Sequence, residues 1–480
     1  MKIFTSYLMI ASCLFAREVF EINATITWLL CISVIIYSVR KSNPFNPTLW
    51  LFVAWGVLFS NFFSGVMYVP SHLQYSEPVI YIVLCIVIFH IGYNEAKDKN
   101  IKFNKYQVNL FLSKKSDNRF QYLYTVLGLL SLIGALFICL DIFFLQGLSI
   151  NGGERRGQLQ DLQFSAFATS GMIFLGGAYL SALSLFFGGN KRNQVIGILS
   201  FISLALSSMA LAGKQGVLIA ILICIYAISI SKFFKIPIKV PFFTKLLLSG
   251  TLLFFIYYII LLSSERHGNV TSGQLLDESL ILNSSFKNDM SILPNFVKNT
   301  FAEFFGYYGE QLGTFIERWE IDNYVSKYSI IEIPPRILGP FTWLERQLIK
   351  IFPGYVDLYQ LKDWVKTIQK QKNGYYGLAN WQTTVLKGVK DFGFLGQLII
   401  IFFHGYISRK LYQRIGSQIS LSTLHMSMFN NIFIVYTIMM NFLGETSAFF
   451  YVIIILLIYR FEKRSFLNEK RNATLKIVYM

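Results

Sequence analysis

Charge is scarce in this chain. Asp, Glu, Lys and Arg make up 14% of its 480 residues, against 54% apolar and 17% aromatic residues, a balance that excludes an ordinary soluble globular protein. Cysteine is scarcer still. Cys13, Cys31, Cys85, Cys139 and Cys224 all fall in or beside apolar runs, which excludes a disulfide framework, and no Cys/His cluster has zinc spacing. An Asp-Phe-Gly triplet at 391–393 has no glycine-rich loop, strand lysine or His-Arg-Asp loop before it. Kinase chemistry is therefore excluded. No internal repeat relates the two halves of the chain, unlike many transporters.

What the chain has is long apolar runs. They recur at about 22–39, 48–69, 78–93, 120–145, 164–187, 194–211, 215–231, 246–262, 392–408, 426–442 and 446–459, each near the roughly 20 residues that cross a bilayer. A further run, Ile3 to Phe15, is shorter; it reads as an uncleaved first span, with a signal peptide as the alternative. The expectation is an all-α polytopic membrane protein of about 12 transmembrane helices, about 11 of them clear. Residues 1–262 would hold the first nine spans, 263–391 a large external loop, 392–460 the last three spans and 461–480 a basic tail.

Lysine and arginine set the orientation, because basic residues near span ends stay on the cytoplasmic side. Lys97 to Arg119, Lys191/Arg192, Lys232 to Lys245, Arg409 to Arg414 and the tail from Arg460 to Lys476 mark one face. Both termini are thus expected in the cytoplasm. The net charge of +17 reports topology and contact with anionic lipid heads rather than a nucleic-acid footprint. Low cysteine, abundant Ile, Phe, Lys and Asn, and no eukaryotic sorting signal point to a bacterial inner membrane.

The opposite, periplasmic face would be built largely by 263–391. Within it Phe301, Phe304, Phe305, Tyr308, Leu312, Phe315 and Trp319 recur at three- and four-residue intervals, which predicts an amphipathic helix over Val297–Ile321, lying on the bilayer or packed on the spans. Trp319, Trp343, Trp364, Trp381, Tyr375 and Tyr376 enrich this loop in rings that can anchor at an interface or stack on sugars.

Ionisable groups at the outer span ends need a reason to be there. Asp141, Glu265, His267, Asp391 and Glu445 are such groups. Arg155, Arg156, Lys214 and Arg266 also stand there, against the charge trend, and suit an anionic ligand such as a phosphate. Glycines beside Arg155 and Lys214 let backbone amides approach as well. Pairing with local acids, Glu154 with Arg155 and Glu265 with Arg266, is the alternative.

The Gly213-Lys214 turn between central spans, one large late external loop, and Asn380-Trp381-Gln382-Thr383 leading to Asp391-Phe392-Gly393-Phe394-Leu395-Gly396 together resemble the bacterial oligosaccharide repeat-unit polymerases, the Wzy type of O-antigen or capsule polymerase. The resemblance implies a GT-C-like architecture. It also implies transfer of a growing glycan from undecaprenyl pyrophosphate to the terminal sugar of another lipid-linked repeat unit on the periplasmic face. It implies no cofactor and no required metal, and as partners a chain-length regulator and a flippase. Arg155, Arg156, Lys214 and Arg266 would bind pyrophosphate, while Asn380, Trp381 and Tyr376 would bind sugar. The general base stays open among Asp141, Glu265, His267 and Asp391. The rival readings are an O-antigen ligase and a flippase or transporter of the same lipid-linked glycan. Asp391 would cap the tenth span, with Gly393 and Gly396 letting it start close against a neighbour.

Overall fold

The structure, a computed structural model, describes residues 2–67, 76–97, 103–113, 118–148, 165–187, 191–211, 215–235, 249–250, 253, 257, 282–295, 297–298, 301, 312, 315–316, 319, 384–417, 419–438 and 446–478. Among these the secondary structure is helical apart from one isolated bridge, Met67 to Leu282. Among the described residues seven helices are long and apolar enough to cross a membrane: Ile3–Phe20, Ala24–Lys41, Ser76–Glu95, Tyr122–Leu145, Ala166–Phe186, Lys191–Ala210 and Gly216–Phe234. The burial pattern agrees with a lipid environment. Phe4, Phe15, Phe144 and Leu395 are exposed, whereas Ser60, Asn61, Ser131, Ser181, Ser200 and Asn431 are fully buried. Apolar side chains outside and hydrogen-bonded polar ones inside is the arrangement that hydrocarbon solvent favours. The protein is a multi-pass membrane protein.

The chain forms two compact units, each built from three separate pieces. The first comprises Met1–Ala96, Leu252–Ile407 and Asn431–Glu445. Here α1 (Lys2–Phe20), α2 (Ala24–Lys41) and α3 (Pro47–Phe63) pack side by side, and α4 (Ser76–Glu95) follows. The short first run grows into a full-length helix because Ala16, Arg17, Glu18 and Val19 continue it past Phe15. Asn23 and Asn46 cap α2 and α3 with their side-chain oxygens, and Pro47 opens α3, as free helix N-termini require. A later segment of the same unit is fastened to these helices. Asn283 N–H donates to Val66 O at 2.9 Å; Leu282 and Phe286, the latter in α11 (Ser284–Met290), pack with Trp28 and Val66.

The second unit comprises Lys97–Thr251, Ser408–Asn430 and Thr446–Met480. It contains α5 (Lys105–Ser113), α6 (Asn118–Cys139), which continues into a π-helical turn (Leu140–Leu145), α7 (Ala166–Ser181), α8 (Ser184–Phe187), α9 (Lys191–Ala210) and α10 (Gln215–Phe234). Glycines set its helix spacing. A Cβ on Gly134 of α6 would stand 2.6 Å from Gly171 O of α7, and one on Gly171 would stand 2.5 Å from Gly134 O, so the two backbones touch. Gly177 meets Leu127 O of α6 in the same way, and Gly176 meets Ser447 O. Small residues at crossings are the usual means of close helix packing where no hydrophobic effect drives association.

The final helices are α12 (Thr384–Ser417), α13 (Leu421–Tyr436) and α14 (Thr446–Val478). The N-terminus of α13 is closed from two sides. Ser420 Oγ accepts from Thr423 N–H at 3.3 Å while Thr423 Oγ1 accepts from Ser420 N–H at 2.7 Å, a reciprocal capping box with threonine in the role of the usual Glu or Gln. Glu462 of α14 then accepts from Leu421 N–H at 3.0 Å and from the Ser422 hydroxyl. A carboxylate there also complements the helix dipole. Glu462→Ala is expected to cost about 1 kcal/mol, in line with lost caps, and Glu462→Gln about half of that. Thermal unfolding of the detergent-solubilised protein measures both, and an unchanged midpoint for Glu462→Ala would remove the cap from the account.

Two sequence expectations need correction. α12 is already helical from Thr384, before the span expected from 392, with one break at Gly393, where φ is 70° and ψ 173°. That region is essentially reserved for glycine. A Cβ at Gly393 would have nothing within 4 Å, so Gly393 serves the bend and not a close approach. Asp391 accordingly lies inside the first helical stretch, and Gly393 precedes the second. The glycines that do allow close approach within the first unit are Gly92 of α4, whose Cβ would stand 2.1 Å from Phe402 O, and Gly405, likewise 2.1 Å from Phe89 O.

Candidate functional site

Of the residues singled out from sequence, Asp141 is fully described. It lies in the π-helical turn Leu140–Leu145 that ends the Tyr122–Leu145 span. Its side chain is 0% exposed. The turn is closed by wide backbone hydrogen bonds, Gln146 N–H to Asp141 O at 3.0 Å and Leu148 N–H to Ile142 O at 3.1 Å; one-turn π bulges of this kind recur at functional sites. The Gln146 amide nitrogen donates to Asp141 Oδ2 at 2.7 Å. Asp141 Oδ1 and Gln146 Oε1 are buried with no hydrogen-bond partner among the described residues. The outcome is a carboxylate held in orientation through one oxygen, with its other oxygen and the amide oxygen left open as acceptors.

Arg155, Arg156, Lys214, Glu265, Arg266, His267, Tyr376, Asn380 and Trp381 lie outside the described residues, as does the side chain of Asp391. Among the described residues no group of three or more His, Cys, Asp or Glu side chains is placed to hold a metal ion. No protein-family model, curated protein or solved structure matches the chain.

In the first unit the described residues of the amphipathic segment follow its periodicity, while Phe304, Phe305 and Tyr308 lie outside the described residues. The described residues Phe301, Leu312, Phe315, Ile316 and Trp319 are helical. Leu312, Phe315, Ile316 and Trp319 are buried, and the Trp319 ring lies 5.1 Å from Tyr81 and 5.3 Å from both Phe315 and Phe394. Tyr81 donates its hydroxyl to Phe394 O at 2.8 Å. Four rings thus join α4, the helical residues around Trp319 and the residue after the Gly393 bend. The other end of the segment is held by Asp289, whose Oδ2 accepts from Thr25 Oγ1 at 2.6 Å and Asn23 Nδ2 at 3.2 Å. Both fastenings sit at helix ends, so the loop is tied to the spans before 302 and after 311.

Sequence reasoning missed two polar groups. Gln146 is five residues from Asp141, which in an α-helix places the two about 140° apart around the axis; only a π turn brings them onto one side. His425 of α13 is buried within the second unit. Its Nε2 lies 3.3 Å from the Tyr124 hydroxyl and its Nδ1 3.1 Å from the Tyr451 hydroxyl. Tyr451 in turn packs edge-on against Tyr179, which shares a 2.7 Å hydrogen bond with Ser447. With both ring nitrogens engaged, His425 ties α6, α13 and α14 together rather than facing a ligand. An intramembrane histidine would have drawn attention in the sequence, but its partners are far along the chain.

Proposed function

We propose that the protein is a periplasm-facing polymerase of lipid-linked oligosaccharide repeat units in a bacterial inner membrane. The observation that carries this reading is a segment fastened to the spans at two places within 282–319. Asp289 and Phe286 hold its start, and Trp319 with Phe315 holds it against Tyr81 and Phe394. A segment held against span ends suits an enzyme that works on a lipid-linked substrate at the membrane surface; a transporter of the same lipid more commonly carries short loops and internal repeats.

In the proposed reaction a hydroxyl of the acceptor's terminal sugar attacks the anomeric carbon of the donor glycan. The C–O bond to undecaprenyl pyrophosphate breaks, and the pyrophosphate leaves with the bonding pair. Arg155, Arg156, Lys214 and Arg266 are the proposed partners for that growing charge, since fixed cations aimed at a leaving phosphate lower the barrier. The hydroxyl proton passes to a base, for which Asp141, Glu265, His267 and Asp391 are the candidates. Asn380, Trp381 and Tyr376 are assigned to the sugars. The polymerase would then draw its substrate from a flippase and have its product length set by a regulator.

The test is incubation of the purified protein with lipid-linked repeat units, with product length read on a gel. A ladder of longer glycans is expected, and Lys214→Ala and Arg266→Ala are each expected to lose it while the protein still expresses. Transfer of an intact glycan to a lipid A core without elongation would favour a ligase instead. Unchanged glycan length with movement across the bilayer would replace the proposal with transport.

A further inference from the structure

The turn that ends α6 leaves two oxygens facing a gap in hydrogen bonding. Asp141 Oδ1 and Gln146 Oε1 are both buried without a partner, while Oδ2 and the amide nitrogen hold each other at 2.7 Å. Among the described residues no ion pair reaches Asp141, and a carboxylate in an apolar span is stabilised as the anion only by a partner of opposite charge. The open atoms are both acceptors, so a bound anion would add repulsion. Position sharpens the point. Asp141 sits in the last turn of its span, where the helix dipole presents its negative end at the terminal carbonyls. A carboxylate is disfavoured there and a cation favoured. Interrupted helices in membrane proteins use such carbonyls to coordinate sodium.

We infer that Asp141, Gln146 and the carbonyl end of the π turn bind a monovalent metal cation. The donor set is oxygen throughout, which suits a hard cation of the alkali or alkaline-earth kind. One carboxylate neutralises one positive charge, whereas a divalent ion would leave a net charge in the span. The inference does not rest on the polymerase reading. If the site is occupied, Asp141 is a ligand and not a base, and proton removal in the proposed reaction falls to Glu265, His267 or Asp391.

The test is thermal unfolding of the full chain in detergent, titrated with NaCl or KCl against choline chloride at constant ionic strength and pH. The expected result is a saturable rise in the unfolding midpoint with sodium or potassium and none with choline. Asp141→Asn, which keeps the shape of the side chain and removes its charge, is expected to abolish the rise. Gln146→Leu is expected to raise the half-saturating salt concentration at least several-fold; it provides the same reading if Asp141→Asn does not fold. An equal response to choline, a rise that survives Asp141→Asn, or a response confined to calcium or magnesium would overturn the inference. Because the readout is stability, failure here leaves the glycan ladder unaffected, and absence of the ladder leaves the cation titration intact.

Discussion

Gly171→Val is expected to destabilise the second unit strongly. The Cβ it introduces would meet Gly134 O at 2.5 Å and Ile138 Cγ1 at 2.8 Å, and the opposing Gly134 sees Gly171 O at 2.6 Å. The obstacles include a backbone carbonyl, which has no rotamer into which to retreat. Relief requires α6 and α7 to move apart, and every side chain along that crossing then loses dispersion contacts. Overpacking at ordinary core sites costs about 1–3 kcal/mol; backbone contact on both sides places this one at or above the upper end. A loss of about 3 kcal/mol corresponds to roughly 10 °C in the unfolding midpoint for a unit of this size. Size-exclusion profiles and thermal unfolding in mild detergent report it. Gly250→Ala is the control, because a Cβ at Gly250 has nothing within 4 Å. Equal profiles for the two variants would show that the crossing tolerates separation.

Trp319→Ala is the second large effect. The indole is 3% exposed and is surrounded by Tyr81, Phe315 and Phe394 at centroid separations of 5.1 to 5.3 Å. Truncating a buried tryptophan costs about 3–5 kcal/mol, and the loss falls on the attachment that holds the residues around Trp319 to α4. The spans should remain folded, while protease cuts the 263–391 segment much faster than in the parent protein. Under the proposed function, glycan elongation falls with it. Trp319→Phe should restore part of the protection, and Tyr81→Phe, which removes the 2.8 Å hydrogen bond to Phe394 O, should cost about 1 kcal/mol. A cleavage rate in Trp319→Ala equal to that of the parent would detach the aromatic cluster from any role in holding the loop.

The sequence made legible whatever depends on neighbours in the chain. The period of Leu312, Phe315 and Trp319 announces an apolar helix face, and burial of those residues follows from it. The apolar runs announce spans, and residues 16–19 lengthen the first one once Phe15 is not taken as its end. Long-range pairings were not legible. Nothing near Gly134 says that Gly171 will face it, nor does anything near Gly92 point to Phe402. Gly393 illustrates a different limit: glycine before a span fits either close packing or a bend, and only its φ of 70° decides. At the candidate site Asp141 was visible as a charge near a span end. Gln146 was not, because a 3.6-residue period puts it on another side of the helix.

Glu462 has a consequence for biosynthesis. Its carboxylate closes the N-terminus of α13 at Leu421 and Ser422, so α13 leaves the ribosome well before the residue that completes its cap. Each unit likewise needs late chain: Asn431–Glu445 for the first, Thr446–Met480 for the second. Early spans must therefore wait in the bilayer with their partners unmade, and a nascent chain released before Glu462 leaves α13 with bare amide groups at its start. Final assembly becomes a post-translational closing of both units on segments made last, a topology of distant contacts that slows folding and prolongs exposure to quality-control proteases.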